Sequence, residues 1–101
     1  MDRDSCLDNI IGRYAIQISS FKDDFIRLCF VLNEAYWLYA DFYANEIKVN
    51  LSEKEFLYHM FARCSILQEH LESFDQKYGE YMLYKSKIPV YGAILLDSSF
   101  T

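Results

Sequence analysis

The sequence predicts an all-α fold, a small helical bundle of four main helices. Apolar residues make up 52% of the 101 residues and recur at helical spacing, which is enough material for the core of one domain. Only three glycines and one proline are present, too few turn formers for a sandwich or barrel of many short strands. Three serines that each precede an acidic residue by three positions mark helix starts, and these are Ser5, Ser20 and Ser52.

The first helix is predicted over residues 5–16. Ser5 and Asp8 form a capping-box arrangement, in which each side chain can satisfy a free backbone amide at the start of a helix. The apolar residues that follow have the i, i+3, i+4, i+7 spacing of one helix face, and they are Leu7, Ile10, Ile11 and Tyr14.

The second helix is predicted over residues 21–45. Ser19 and Ser20 indicate a break in the chain, and Ser20 with Asp23 repeats the capping arrangement. No glycine or proline interrupts the next stretch, which carries one continuous apolar stripe. This helix is the longest of the four, so we expect it to lie at the centre of the bundle.

The third and fourth helices follow a short loop at residues 48–51. Ser52 with Glu55 predicts the start of the third helix, whose buried face ends near Cys64. The fourth helix is predicted over residues 66–83, because apolar and aromatic residues again recur every three or four positions there.

The end of the chain departs from the helical pattern. Residues 84–87 form a short basic connector, and Pro89 disfavours helix at the residue before it. The apolar stretch from Val90 to Asp97 reads as a strand that has no partner strand among these residues. We therefore expect this strand to belong to a second domain.

Composition and charge exclude several classes of function. The net charge of −5 is opposite to that of a protein that grips a phosphate backbone through a broad basic surface. The three cysteines (Cys6, Cys29 and Cys64) form no CxxC pair, which favours buried thiols in a reducing compartment. The two histidines (His59 and His70) lack the spacing of a helical metal site. Because no secretory signal and no apolar run of membrane-spanning length is present, we expect a soluble cytosolic or nuclear protein with no membrane partner.

One face of the second helix combines the single tryptophan with carboxylates. Trp37 and Asp41 are one helical turn apart, nearly opposite the apolar stripe, and Arg27, Phe30 and Glu34 share their side. An indole attracts a planar cationic ring through stacking and cation–π attraction, and a carboxylate accepts hydrogen bonds from ring N–H groups. The alternative is that Trp37 packs against another helix and that Asp41 is ordinary surface charge.

An ordered series of motifs resembles a known family over about residues 7–97. The series resembles the N-terminal regulatory domain, or box A domain, of the catalytic subunit of the mRNA-decapping enzyme, decapping protein two. Its most specific parts are the tryptophan block at residues 34–42 and the segment IPVYGAI at residues 88–94. Two positions depart from the family pattern: Leu38 replaces an aromatic residue beside the tryptophan, and Ser65 stands where a proline usually follows the cysteine.

The resemblance implies a role for each candidate residue. Trp37 would stack on the methylated guanine of the mRNA cap, and Asp41 would accept hydrogen bonds from its Watson–Crick edge. Arg27 and Phe30 would contact the activator subunit, decapping protein one. The implied division of the chain is a helical regulatory domain at residues 1–84, a hinge at residues 85–89 and the start of a Nudix hydrolase domain at residues 90–101. The residues that would act at the hinge are Tyr84, Lys85, Lys87 and Pro89.

The resemblance also implies that the hydrolytic chemistry lies elsewhere. In the family, a Nudix box that holds Mg²⁺ or Mn²⁺ releases 7-methyl-GDP from capped mRNA in the cytoplasm and in P-bodies. None of these 101 residues forms that box, so we expect no cofactor and no hydrolysis by this chain alone. The alternative function is a free-standing helical interaction module without cap chemistry, in which Phe30, Tyr36 and Trp37 would be interface anchors.

Overall fold

The all-α prediction is confirmed by a computed structural model of the chain. The structure describes residues 2–47 and 50–87, and within them it is built from helices with no strand. The α-helices are α1 Arg3–Ser20, α2 Phe25–Leu38, α3 Ala44–Ile47, α4 Glu53–Arg63 and α5, which is assigned as Phe74–Phe100. A π-helical turn, Tyr39–Tyr43, joins α2 to α3, and a 3₁₀ helix, Ser65–His70, follows α4. The predicted strand over residues 90–97 and the hinge residue Pro89 lie outside the described residues, so both remain predictions.

The central position predicted for the second helix is confirmed, because α2 packs against α1, α4 and α5. The prediction that this helix is the longest is wrong, because α2 has 14 residues and α1 has 18. One stripe of α2 is completely removed from solvent, and it comprises Leu28, Cys29, Val31, Leu32 and Ala35. The core that meets this stripe includes Leu7 and Ile10 from α1 and Phe56 and Met60 from α4, all fully buried. Burial of each such side chain contributes about 1.5–3 kcal/mol relative to exposure.

The predicted start of the first helix is wrong by two residues. Asp2, and not Ser5, caps α1: a carboxylate oxygen of Asp2 accepts a hydrogen bond from the backbone N–H of Ser5 at 2.7 Å. This bond lowers the pKa of Asp2, because it stabilises the ionised form. Asp and Ser are comparable N-cap residues, so the sequence pattern alone did not decide between them.

The predicted boundary at Ser20 is also wrong. Helix α1 runs through Ser20, and the backbone N–H of Phe21 still donates to the carbonyl of Gln17 at 3.0 Å. The next helix begins at Phe25, where a carboxylate oxygen of Asp24 accepts from the backbone N–H of Arg27 at 3.3 Å. Asp24 is therefore the cap that the sequence pattern assigned to Ser20.

The third predicted helix is confirmed and the fourth is divided. Ser52 and Glu55 form a complete capping box at the start of α4, as predicted. Residues 66–83 do not form one helix, because the 3₁₀ helix and a turn at residues 71–73 precede α5. The tighter backbone bonding continues through the turn, where the N–H of Phe74 donates to the carbonyl of Leu71 at 3.2 Å. The hydroxyl of Ser73 also donates to the carbonyl of His70, which offers the backbone an alternative to α-helical bonding.

A partly buried ionic cluster fastens α5 to α4. The ammonium of Lys85 lies 2.6 Å from both carboxylate oxygens of Glu53, and the two side chains are only 23% and 16% exposed. The hydroxyl of Tyr81 donates to the same carboxylate at 2.6 Å and has the amide oxygen of Asn33 on α2 at 3.3 Å. Burial, followed by the hydrogen bond to Glu53, raises the pKa of Tyr81. The Glu53 carboxylate therefore joins α4 to α5, and the Tyr81 hydroxyl extends the cluster to α2.

The cysteines are free and buried, as predicted from their spacing. Burial raises the pKa of Cys6 to about 11 and that of Cys29 to about 12, so both thiols stay protonated at neutral pH. Within the described part of the chain, no helix combines the length and the apolar character needed to cross a bilayer.

The reassigned cap predicts different effects for two substitutions. Asp24→Ala should lower the free energy of unfolding by about 1 kcal/mol, since α2 loses its N-cap. Asp24→Asn should retain most of the stability, because asparagine caps as well as aspartate. Ser20→Ala should change it by less than about 0.5 kcal/mol. Urea unfolding of the three variants measures this, and an equal loss in Ser20→Ala and Asp24→Ala would contradict the assignment.

The ionic cluster predicts a difference between two neighbouring lysines. Lys85→Met should destabilise the fold by about 1–3 kcal/mol, because it leaves the Glu53 carboxylate partly buried without its cation. Lys87→Met removes an exposed lysine two residues further on and should cost less than about 0.5 kcal/mol. Adding Glu53→Gln to Lys85→Met should restore part of the loss. Thermal and urea unfolding compare the variants, and equal stability of the two single lysine variants would refute the role of the cluster.

Candidate functional site

The face of α2 opposite the buried stripe is exposed along its whole length and continues into the π-helical turn. The five side chains predicted to share this face are all solvent-exposed, and they are Arg27, Phe30, Glu34, Trp37 and Asp41. One side of α2 is buried in the core. Residues spaced by three or four positions on the opposite side therefore face the solvent. The structure thus places the predicted candidates of this helix together on one surface.

Trp37 lies on the surface and is supported from below by aromatic rings. Its side chain is 52% exposed, so the alternative in which it packs inside the bundle is wrong. The ring of Tyr36 meets the indole edge-on at a centroid distance of 6.0 Å, and Tyr36 in turn meets the fully buried Phe56 at 5.5 Å. Burial and the charge of Glu53 raise the pKa of Tyr36, which therefore stays neutral beneath the indole.

Asp41 lies in the π-helical turn and is also exposed. It makes no hydrogen bond or ion pair within the part of the chain that the structure describes, so its carboxylate oxygens can accept bonds from a ligand. No arginine is paired with it there, in contrast to what the interaction-module alternative would favour. Trp37 and Asp41 thus offer an exposed aromatic surface and a carboxylate about one helical turn apart.

Arg27 and Phe30 lie nearer the start of the same face. Arg27 pairs with Asp24 at 3.4 Å, and its guanidinium lies 5.7 Å from the centre of the Phe21 ring. These contacts keep the guanidinium at the end of the helix. Phe30 is 52% exposed and Ile26 is 69% exposed, so this end of the face presents apolar surface that the bundle does not cover.

The predicted hinge residues have different surroundings. Tyr84 is half-buried, and burial near Cys29 raises its pKa. Lys85 is held by Glu53 in the ionic cluster described above, while Lys87 is exposed. The hinge role of these residues stays a prediction.

Two features of the site were missed in the sequence. Tyr39 lies in the predicted apolar stripe, and it also begins the π-helical turn that carries Asp41. Glu53 accepts bonds from Tyr81 and Lys85, and its charge contributes to the raised pKa of Tyr36. Neither role has a local sequence signal, because both depend on contacts between different helices.

The described residues contain no cluster that could hold a metal ion. No group of three or more His, Cys, Asp or Glu side chains converges there. His70 lies among aromatic rings, with centroid distances of 6.0 Å to Phe25 and 6.2 Å to Phe61. His70 is therefore packed among aromatic side chains of the bundle.

Comparison with known proteins identifies the family of this domain. The model of the Dcp2 box A domain matches residues 5–84. The chain is 31% identical over 96 residues to "mRNA decapping complex subunit 2" of Schizosaccharomyces pombe, which covers 92% of this chain and 13% of that protein. It is 32% identical over 97 residues to "mRNA-decapping enzyme subunit 2" of Arabidopsis thaliana, with 93% and 26% covered. It is 34% identical over 79 residues to "m7GpppN-mRNA hydrolase dcap-2" of Caenorhabditis elegans, with 74% and 10% covered.

These matches cover most of this chain but at most about a quarter of each relative. No solved structure matches significantly. The family match extends from the first turn of α1 to Tyr84 and includes the whole exposed face of α2. The chain belongs to the Dcp2 box A domain family, whose relatives are subunits of the mRNA-decapping machinery.

Proposed function

We propose that this domain recognises the base of the 5′ cap during mRNA decapping, through Trp37 and Asp41. The observation that carries the proposal is the placement of a half-exposed indole and an exposed carboxylate on one helix face, with no partner for the carboxylate among the described residues. Membership of the box A family supports it, as does the name of the worm relative, which specifies a hydrolase acting on m7GpppN-mRNA.

The chemistry of the cap base matches this pair of side chains. Methylation at N7 makes the guanine ring cationic, and a cationic planar ring is attracted to the face of an indole. The ring N–H and amino groups on the Watson–Crick edge of guanine can donate to the carboxylate of Asp41, which offers only acceptors when ionised. Trp37 would therefore supply stacking and sensitivity to methylation, and Asp41 would identify the base as guanine.

The expected affinity of this half-site is low. Stacking of one base on one aromatic ring contributes about 1–3 kcal/mol, and hydrogen bonds to a charged partner contribute roughly 1.5–3 kcal/mol. Association costs several kcal/mol in lost translational and rotational freedom. We therefore expect millimolar binding of 7-methyl-GDP, which would tighten only when a Nudix domain covers the other face of the base.

Hydrolysis of the cap is assigned in this proposal to that Nudix domain, with Mg²⁺ or Mn²⁺ as its metal. The box A domain would contribute base recognition and would hinge against the hydrolase domain near residues 84–89. It would also bind the activator subunit, decapping protein one, through Arg27 and Phe30. The exposed apolar surface of Phe30 and Ile26 supports a protein partner at this end of α2.

Titration with cap analogues tests the cap site. In the 101-residue chain, 7-methyl-GDP should shift the Trp37 side-chain resonances more than GDP does, because only the methylated base is cationic. Trp37→Ala should abolish the response of neighbouring residues, and Asp41→Asn should weaken it. The exposed Phe42→Ala variant, changed next to Asp41, controls for general disturbance of the helix. Equal shifts with methylated and unmethylated nucleotide would favour the interaction-module function instead.

The activator surface is tested with a matched pair of exposed apolar residues. Phe30→Ala should weaken binding of the activator subunit by about 1–3 kcal/mol, which is the range of an interface anchor. Ile16→Ala removes an 83% exposed side chain on α1 and should leave the affinity unchanged. Isothermal titration measures both, with thermal unfolding as a check that each variant folds. If Phe30→Ala binds like the parent chain, this surface does not hold the activator.

A further inference from the structure

The π-helical turn has a defined junction at Tyr39, which places Asp41 next to the end of α2. The backbone N–H of Tyr39 is shared between the carbonyls of Ala35 and Tyr36, which closes the α-helical bonding. The carbonyl of Tyr39 accepts from the N–H of Ala44, five residues further on, which is the bond that defines a π-helical turn. The change of helical type therefore occurs at this one residue.

The side chain of Tyr39 is anchored to a different part of the fold. It is 1% exposed, and its ring stacks on Phe56 of α4 at a centroid distance of 5.1 Å. Its hydroxyl accepts a hydrogen bond from the backbone N–H of Leu51 at 2.9 Å, in the segment before α4. π-helical turns are rare in proteins, so a specific contact is needed to explain this one. The contacts of the Tyr39 side chain fix the first residue of the turn and provide such an explanation.

Helix geometry predicts that the π-helical turn changes the direction of Asp41 relative to Trp37. In an α-helix of 3.6 residues per turn, a residue four positions on is rotated about 40° past the first. A π-helical turn takes up more residues in each turn, which reduces the overshoot and moves Asp41 towards the line of Trp37. A carboxylate in this position can meet the edge of a ring that stacks on the indole.

We propose that Tyr39 is a positioning residue for cap recognition: its ring and hydroxyl hold the π-helical turn that aligns Asp41 with Trp37. This inference rests on the proposed function. Tyr39 is buried and does not contact the ligand, so it acts through Asp41 alone. Substitution of Tyr39 should therefore weaken ligand binding only while the side chain at position 41 can still bind the ligand.

A double-mutant cycle in the 101-residue chain tests the proposal, with 7-methyl-GDP and GDP as probes. Tyr39→Phe keeps the ring and removes only the hydroxyl. It should weaken 7-methyl-GDP binding by about tenfold to a hundredfold, in the same range as Asp41→Asn, since hydrogen bonds to one charged group have about that value. In the Asp41→Asn background, Tyr39→Phe should cause no further loss. The amide of Ala44 should exchange with solvent faster in Tyr39→Phe, which reports on the turn without any ligand.

Tyr81→Phe is the matched control, because it removes the hydroxyl of another tyrosine that is 1% exposed and lies on α5. It should lower the thermal stability and leave nucleotide binding unchanged. The proposal is overturned if Tyr39→Phe binds 7-methyl-GDP as tightly as the parent chain does, or if Tyr81→Phe weakens binding as much as Tyr39→Phe does. It is also overturned if the fold-losses in affinity of Tyr39→Phe and Asp41→Asn multiply in the double variant. If the parent chain itself does not prefer 7-methyl-GDP, the proposed function fails, and this result is distinguishable from the others because it appears before any substitution.

Discussion

The one-sided burial of α2 is the constraint on which the rest of the structure depends. Its stripe of apolar residues meets α1, α4 and α5, and side chains such as Leu28 and Leu32 are almost fully buried. A helix that is fixed on one side by this contact cannot rotate to hide its other side without exposing the core. The tryptophan near the end of this helix is therefore held at the surface by packing that occurs on the opposite side of the helix.

Side chains around the exposed face connect α2 to the neighbouring helices. Glu53 receives bonds from Tyr81 and Lys85 on α5, and its charge acts on Tyr36, which supports the indole of Trp37. Tyr39 stacks on Phe56 of α4 and begins the turn that carries Asp41. Tyr36 and Tyr39 both contact Phe56, and they therefore connect the exposed pair to α4.

Sequence reasoning predicted what local spacing determines and missed what contacts between helices determine. The exposed face of α2 and the capping box at Ser52 follow from residues three or four apart, and both were predicted. The caps at Asp2 and Asp24 were missed, because aspartate and serine compete on nearly equal terms. Tyr39, which begins the π-helical turn, is bonded to Leu51, and the ionic cluster joins residues 32 apart, so no window of local sequence contains either contact.

Quenching of tryptophan fluorescence tests the central claim most directly, because Trp37 is the only tryptophan in the chain. If burial of the α2 stripe holds Trp37 at the surface, the folded protein should emit at long wavelength, and acrylamide should quench it nearly as well as it quenches the urea-unfolded chain. A neutral quencher removes the influence of the net negative charge on access. A blue-shifted emission that acrylamide quenches poorly in the folded protein would place the indole inside the bundle and would contradict the account.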